Sequence, residues 1–149
     1  MTIDLGTRQL TGADMHRLLI VDNEDAVGFS MSEYFRLHGY HVDYAHDRFE
    51  AEDLLLSSDY EVLIEDLWLS NSAKDGLDII QLVHERNPAT QIVVLTARGS
   101  AENEKEARRR GASAFLNKPQ SLREIAQVIN ALLGLRDEQS KLKTDAAST

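Results

Sequence analysis

Between Arg17 and Leu135, five short apolar runs alternate with longer stretches of helical period, and this alternation leaves few architectures open. The runs are Leu18-Leu19-Ile20-Val21, Val42 to Ala45, Val62-Leu63-Ile64, Ile92-Val93-Val94-Leu95 and Ala114-Phe115-Leu116. Strands that alternate with helices form βα units on a parallel sheet. The first, third and fourth runs are nearly all apolar, as strands are when helices cover both faces of a sheet. Those three are expected at its centre. A chain of 149 residues fits a single domain, and a globule of that size buries about 70% of its unfolded surface without a staple.

The segments between the runs carry helix-end signals. Ser121-Leu122-Arg123-Glu124 reads as a capping box, in which Ser and Glu each satisfy an orphan amide. Behind it Leu122, Ile125, Ala126, Ile129, Leu132 and Leu133 fall on one face, a stripe expected to pack on the sheet. Asp47 and Glu50 mark a similar start, while Gly39 and Gly111 stand where a left-handed residue closes a helix. Ala101 to Arg110 differs, because its acids come early, its arginines late, and almost no apolar face remains. That order suits a helix dipole. So weakly anchored a helix fits a movable element, and fits an ordinary solvated helix equally well.

Composition removes several function classes. The chain has no cysteine, which excludes disulfides, thiolate metal sites and cysteine nucleophiles. Sixteen basic against 25 acidic residues give a net charge of -9. That balance opposes direct grip on nucleic acid, where basic groups must neutralise phosphates, and it also serves plain solubility. No stretch approaches the roughly 18 apolar residues of a membrane span, and Met1 to His16 lacks the pattern of an export signal. The expectation is a cytoplasmic protein with no membrane contact. Residues 1–16 are expected to form a mobile N-terminal extension, 17–135 the domain, and 136–149 a polar tail or the start of a linker.

Four of the apolar runs end in polar residues: Val21 leads into Asp22, Ile64 into Glu65 and Asp66, Leu95 into Thr96, and Leu116 into Asn117 and Lys118. In an open parallel sheet ligands bind outside the carboxyl ends of the strands, so these side chains are expected to meet in one crevice. A lone Asp after a strand serves as readily as a helix cap. The set is more specific. Asp66 is a candidate nucleophile, since carboxylates form aspartyl-phosphate intermediates. Asp22, with Asn23 and Glu24 beside it, offers oxygen donors to a hard cation such as Mg²⁺. Thr96 can hydrogen-bond a phosphoryl oxygen and Lys118 can pair with its charge.

The runs Leu18 to Glu24, Val62 to Leu67, Asp75-Gly76-Leu77, Ile92 to Ala97 and Gly111 to Pro119, in that order, resemble the receiver domains of two-component response regulators. The resemblance covers residues 17 to 134. It implies an α/β, flavodoxin-like (βα)₅ doubly wound fold with parallel strands in the order 2-1-3-4-5. By the same resemblance Asp66 accepts phosphate from a sensor histidine kinase or phosphotransfer protein, with Thr96 and Lys118 assisting. Mg²⁺ would be held by Asp22, Asn23, Asp66 and the backbone carbonyl of Trp68. Thr96 and Phe115 would form the switch pair that reshapes the surface of the fourth helix, fifth strand and fifth helix. That surface would engage a downstream effector or output domain, or pair two copies in a homodimer. Lys118-Pro119 would carry a cis peptide bond. The domain would catalyse at most its own phosphorylation and dephosphorylation.

Several positions depart from the family pattern. Asn23 stands where a second acid is usual, so metal affinity is expected to fall, with Glu24 a possible substitute. Ser70 lies near a usual proline, and Asn71-Ser72-Ala73-Lys74 lengthens the loop before Asp75. Trp68 and Arg98 occupy positions that govern water's access to an acyl phosphate. A shielding Trp68 predicts a long-lived phosphorylated state, whereas a surface aromatic packed on its loop predicts nothing of the kind. Glu65, odd in a central strand, is expected to face the helix layer and find a basic partner. Two other readings compete: an atypical receiver acting as a phosphorylation-independent interaction module, supported by Asn23, and an aspartyl-phosphate phosphatase. The phosphatase normally carries a general acid two residues after its nucleophile, and Trp68 occupies that place.

Overall fold

The structure, a computed structural model, describes residues 16–134. The expectations for residues 1–15 and 135–149 lie outside the described residues. Elements follow strictly in turn: β1 (Arg17–Val21), α1 (Asp25–Leu37), β2 (His41–Ala45), α2 (Arg48–Ser57), β3 (Val62–Glu65), α3 (Lys74–Arg86), β4 (Gln91–Thr96), α4 (Ala101–Arg110), β5 (Ala114–Asn117) and α5 (Leu122–Leu133). All pairings are parallel and the strand order is β2-β1-β3-β4-β5. The three most apolar runs, β1, β3 and β4, take the centre.

Alternation along each strand divides the core in two. Leu18, Ile20, Val62, Ile64, Val93 and Leu95 face α1 and α5, meeting Met31, Phe35, Ile125 and Ile129. Leu19, Val21, Leu63, Ile92 and Val94 face the other layer, meeting Ala51 and Leu55 of α2, Leu77, Ile80 and Val83 of α3 and Ala107 of α4. Side chains one residue apart point to opposite faces, so a central strand needs apolar residues throughout.

Helix ends follow the expected chemistry. The Ser121 side chain accepts from the Glu124 amide at 3.1 Å, and Asp47 accepts from the Glu50 amide at 2.9 Å. The Glu50 carboxylate reaches back one residue further than a capping box requires and takes the amide of His46. Gly39 and Gly111 have φ of 94° and 129°, which favours glycine at both turns. Gly76, in the first turn of α3, answers a different demand: a Cβ there would lie 2.4 Å from the Cα of Leu67 and 2.7 Å from Oε2 of Glu65. The helix can approach β3 only because that side chain is missing.

Candidate functional site

The parallel register brings the carboxyl ends of β1, β3, β4 and β5 to one edge of the sheet. Ladder bonds continue one residue past two of the strands: the Asp22 amide donates to Ala45 O at 3.2 Å and the Asp66 amide to Val21 O at 3.0 Å. Both carboxylates therefore start from backbone that the sheet holds. Asp22 is 1% exposed, Asp66 6% and Thr96 0%. From the end of β5, Lys118 donates its amide to Thr96 O at 2.9 Å, and the following bond to Pro119 is cis.

Lys118 is the hub. Its Nζ lies 2.9 Å from Oδ2 of Asp22, 3.2 Å from Oδ2 of Asp66 and 3.4 Å from Oε1 of Glu24. Carboxylate oxygens of those same three residues lie within 4.8 Å of one another. Burial works against the Lys118 ammonium, yet the carboxylates of Asp22 and Asp66 outweigh it and raise its pKa above the usual lysine value. Burial pushes the Asp22 carboxyl up; the Glu24 amide and Lys118 pull the other way. The site is thus a buried, strongly charged crevice.

Asp66 is aligned from the far side by the Trp68 amide, which donates to its Oδ1 at 3.0 Å. The Trp68 ring is half-buried and closes over the neighbouring loop. The Arg98 guanidinium sits 4.0 Å from its centroid, and the indole N–H donates to Arg98 O at 3.2 Å. Cation–π stacking and this hydrogen bond clasp the loop after β3 to the loop after β4. Thr96, between those loops, accepts the Arg98 amide on Oγ1 at 3.2 Å. Phe115 is half-buried against the α2–α3–α4 side of the core. Asn23 is exposed.

Glu65 requires a correction. It does face the helix layer, beneath Gly76, but no basic residue meets it: the side chain is 1% exposed and neither carboxylate oxygen has a hydrogen-bond partner. Burial first, and then the charge of Asp66, holds its pKa well above the usual range. The close approach that Gly76 allows leaves no room for a long cationic side chain at this point.

Two features escaped the sequence. The Tyr44 hydroxyl lies 2.5 Å from the backbone carbonyl oxygen of Asp22 and 2.8 Å from Asp25 Oδ1, with its one proton available to either, and His46 Nδ1 lies 2.6 Å from the same Asp25 oxygen. Tyr44 and His46 are spaced by two at the carboxyl end of an edge strand, which places both beside the loop after β1. Asp78 of α3 collects Lys74, Arg48 of α2 and Arg110 of α4 at 2.6, 3.0 and 3.0 Å. The i,i+4 spacing of Lys74 and Asp78 was legible; the tertiary partners were not.

Among the described residues no helix is long and apolar enough to cross a membrane. The family model described as the response regulator receiver domain matches residues 18–130. Response regulator MprA of Mycobacterium avium is 33% identical over 132 residues, 89% of this chain and 55% of that protein. The chain spans about half the length of the curated relatives it matches. A CheY-like response regulator receiver domain protein from Methanospirillum hungatei superposes with a TM-score of 0.74 at 26% identity, over 89% of this chain and 98% of that one. A response regulator from Burkholderia pseudomallei, solved with a phosphorylated aspartic acid, a calcium ion and citrate, gives a TM-score of 0.70 at 26% identity, over 89% and 73%. A matching family model, the strand order and these neighbours agree: the chain belongs to the response regulator receiver domain family.

Proposed function

We propose that Asp66 is the phosphoacceptor of this receiver domain. The observation that carries the reading is the single ammonium of Lys118 held between the buried carboxylates of Asp22 and Asp66 at the ends of β5, β1 and β3. A receiver is a signalling domain rather than a turnover enzyme. The transfer needs a nucleophile and compensation for charge, with little further covalent work from the protein. An Asp66 oxygen attacks phosphorus of a phosphohistidine on a sensor kinase or phosphotransfer protein. The new O–P bond forms as the N–P bond breaks, and the imidazole nitrogen keeps the electron pair.

The donor set suits Mg²⁺: carboxylates of Asp22 and Asp66, the amide oxygen of Asn23 and the carbonyl of Trp68 are all hard oxygen donors. When bound, the cation would neutralise charge on the phosphoryl oxygens. The Burkholderia relative, solved with a phosphorylated aspartic acid and a calcium ion, supports this reading. Lys118 pairs with the phosphoryl charge and Thr96 donates its hydroxyl, with Phe115 following it as the switch partner. A groove between α1 and the start of α5, lined by Val27, Met31, Pro119, Leu122 and Ile125 beside Lys118, suits an apolar helix of the donor protein. Readout passes to an effector or output domain, or to a second copy, through α4, β5 and α5, in the cytoplasm.

Incubation with Mg²⁺ and a small acyl phosphate, followed by intact mass measurement, tests the reading. A single phosphoryl adduct, absent from Asp66→Asn, is expected. An unmodified parent would instead favour the phosphorylation-independent module that Asn23 suggests. A Trp68–Arg98 clasp that shields the crevice predicts a shorter adduct lifetime in Trp68→Ala; equal decay in both proteins leaves Trp68 a surface aromatic packed on its loop.

A further inference from the structure

We infer that Glu24 is a carboxylate ligand of the divalent-cation site, replacing the acid that Asn23 lacks. The inference rests on the receiver reading of Asp66 and adds a residue that the family resemblance does not assign. Glu24 is the N-cap of α1, and its own side chain makes no capping bond. Its backbone is fixed instead by others: the Glu24 amide donates to Oδ1 of Asp22 at 2.9 Å, and its carbonyl accepts from Val27 and Gly28 at 3.0 Å each. The side chain is therefore free of structural duty. It nevertheless turns inward to Lys118 at 3.4 Å, although 61% of it stays exposed. Asn23 and Glu24 are both exposed, and it is the Glu24 carboxylate that lies with those of Asp22 and Asp66 within 4.8 Å of one another.

Charge points the same way. Asp22 and Asp66 against the Lys118 ammonium leave one net negative charge, too little to match a divalent cation. Glu24 brings the balance to two. Lys118 already shows where positive charge is favoured, since its ammonium is held by all three carboxylates. Being the most exposed of the three, Glu24 loses least solvation when it transfers from Lys118 to a cation.

Calorimetric titration of the full chain with Mg²⁺, at low and at high ionic strength, reads this directly, and the single Trp68 beside Asp66 gives a fluorescence check. Glu24→Gln is expected to weaken binding by about tenfold, since affinity follows the number of charged ligands. The loss should persist at high salt, because a direct ligand is not screened as a remote charge is. Asn23→Asp should restore affinity in the Glu24→Gln background. Binding unchanged by Glu24→Gln, or a loss that disappears with salt, overturns the assignment while leaving the receiver reading intact. A parent that neither binds Mg²⁺ nor takes a phosphoryl group on Asp66 overturns both. The side chain carries no cap or core contact, so a native circular dichroism spectrum is expected for each variant.

Discussion

Helices α4 and α5 flank the same edge strand, and they are held by different physics. In α5, Ile125 and Ile129 are 1% and 0% exposed, with Leu122, Ala126, Leu132 and Leu133 packed against the same cluster. In α4 the fully buried residue is Ala107. The rest of that helix is tied by charge: Arg108 to Glu104, Arg109 and Arg110 to Glu106, and Arg110 across to Asp78 of α3. Close-packed apolar burial resists displacement and is not weakened by ionic screening, whereas a partly exposed ion pair is weak and screened. α5 is thus fixed to the sheet, and α4 is the helix whose position is cheapest to change. In a domain proposed to signal through this surface, the charge tethers mark the moving part.

The largest expected effect lies in α5. Ile129→Ala removes a fully buried branched side chain between α5 and the sheet and should cost about 2–5 kcal/mol, read as a lowered denaturation midpoint with an unchanged denaturant slope. A cost below about 1 kcal/mol would erase the contrast with α4. A smaller change of opposite sign is expected at Glu65, in the layer that carries α4. This carboxyl is buried without a hydrogen-bond partner, and leaving such a group unsatisfied costs about 1–3 kcal/mol. Glu65→Leu, similar in volume and apolar, should raise the denaturation midpoint. Glu65→Gln should recover less, because its amide still lacks a partner. Stability lost in both variants would mean that Glu65 has a partner in solution.

Much of this was legible in the sequence because it depends on period and strand ends. Runs such as Ile92 to Leu95, alternating with helical stretches, fit central strands covered on both faces, and polar residues directly after them then share the carboxyl edge of the sheet. The convergence of Asp22, Asp66 and Lys118 followed from that topology alone. What escaped depends on distance across the fold. The Arg48–Asp78–Arg110 contacts join three helices far apart in the chain, and no local pattern announces which exposed charges will meet. The missing partner of Glu65 was hidden for a similar reason: a strand pattern gives the face of a side chain, but Gly76 decides how much space lies above it. Gly134 closes α5 with φ of 75°, and no local pattern marks it because it adjoins a polar segment of little period.

The smallest expected effect tests the tether itself. Lys74 first, then Arg110 and Arg48, hold the Asp78 carboxyl below its ordinary value of 3.8, at about 2. A depressed folded-state pKa means that the unfolded chain takes up the proton first as pH falls. The stabilisation is complete above about pH 4 and drains away toward about pH 2. Asp78 is a quarter exposed, so solvent screening limits the effect of Asp78→Asn to about 1 kcal/mol at neutral pH. The gap between parent and variant should close across that acid window. The decisive readout is local: hydrogen exchange in α4 should accelerate in Asp78→Asn while α5 stays protected, because Asp78 ties Arg110 of α4, along with Lys74 and Arg48, and has no ion pair with α5. Equal acceleration in the two helices would show Asp78 supporting the whole domain, and the division between a fixed and a tethered helix would fall.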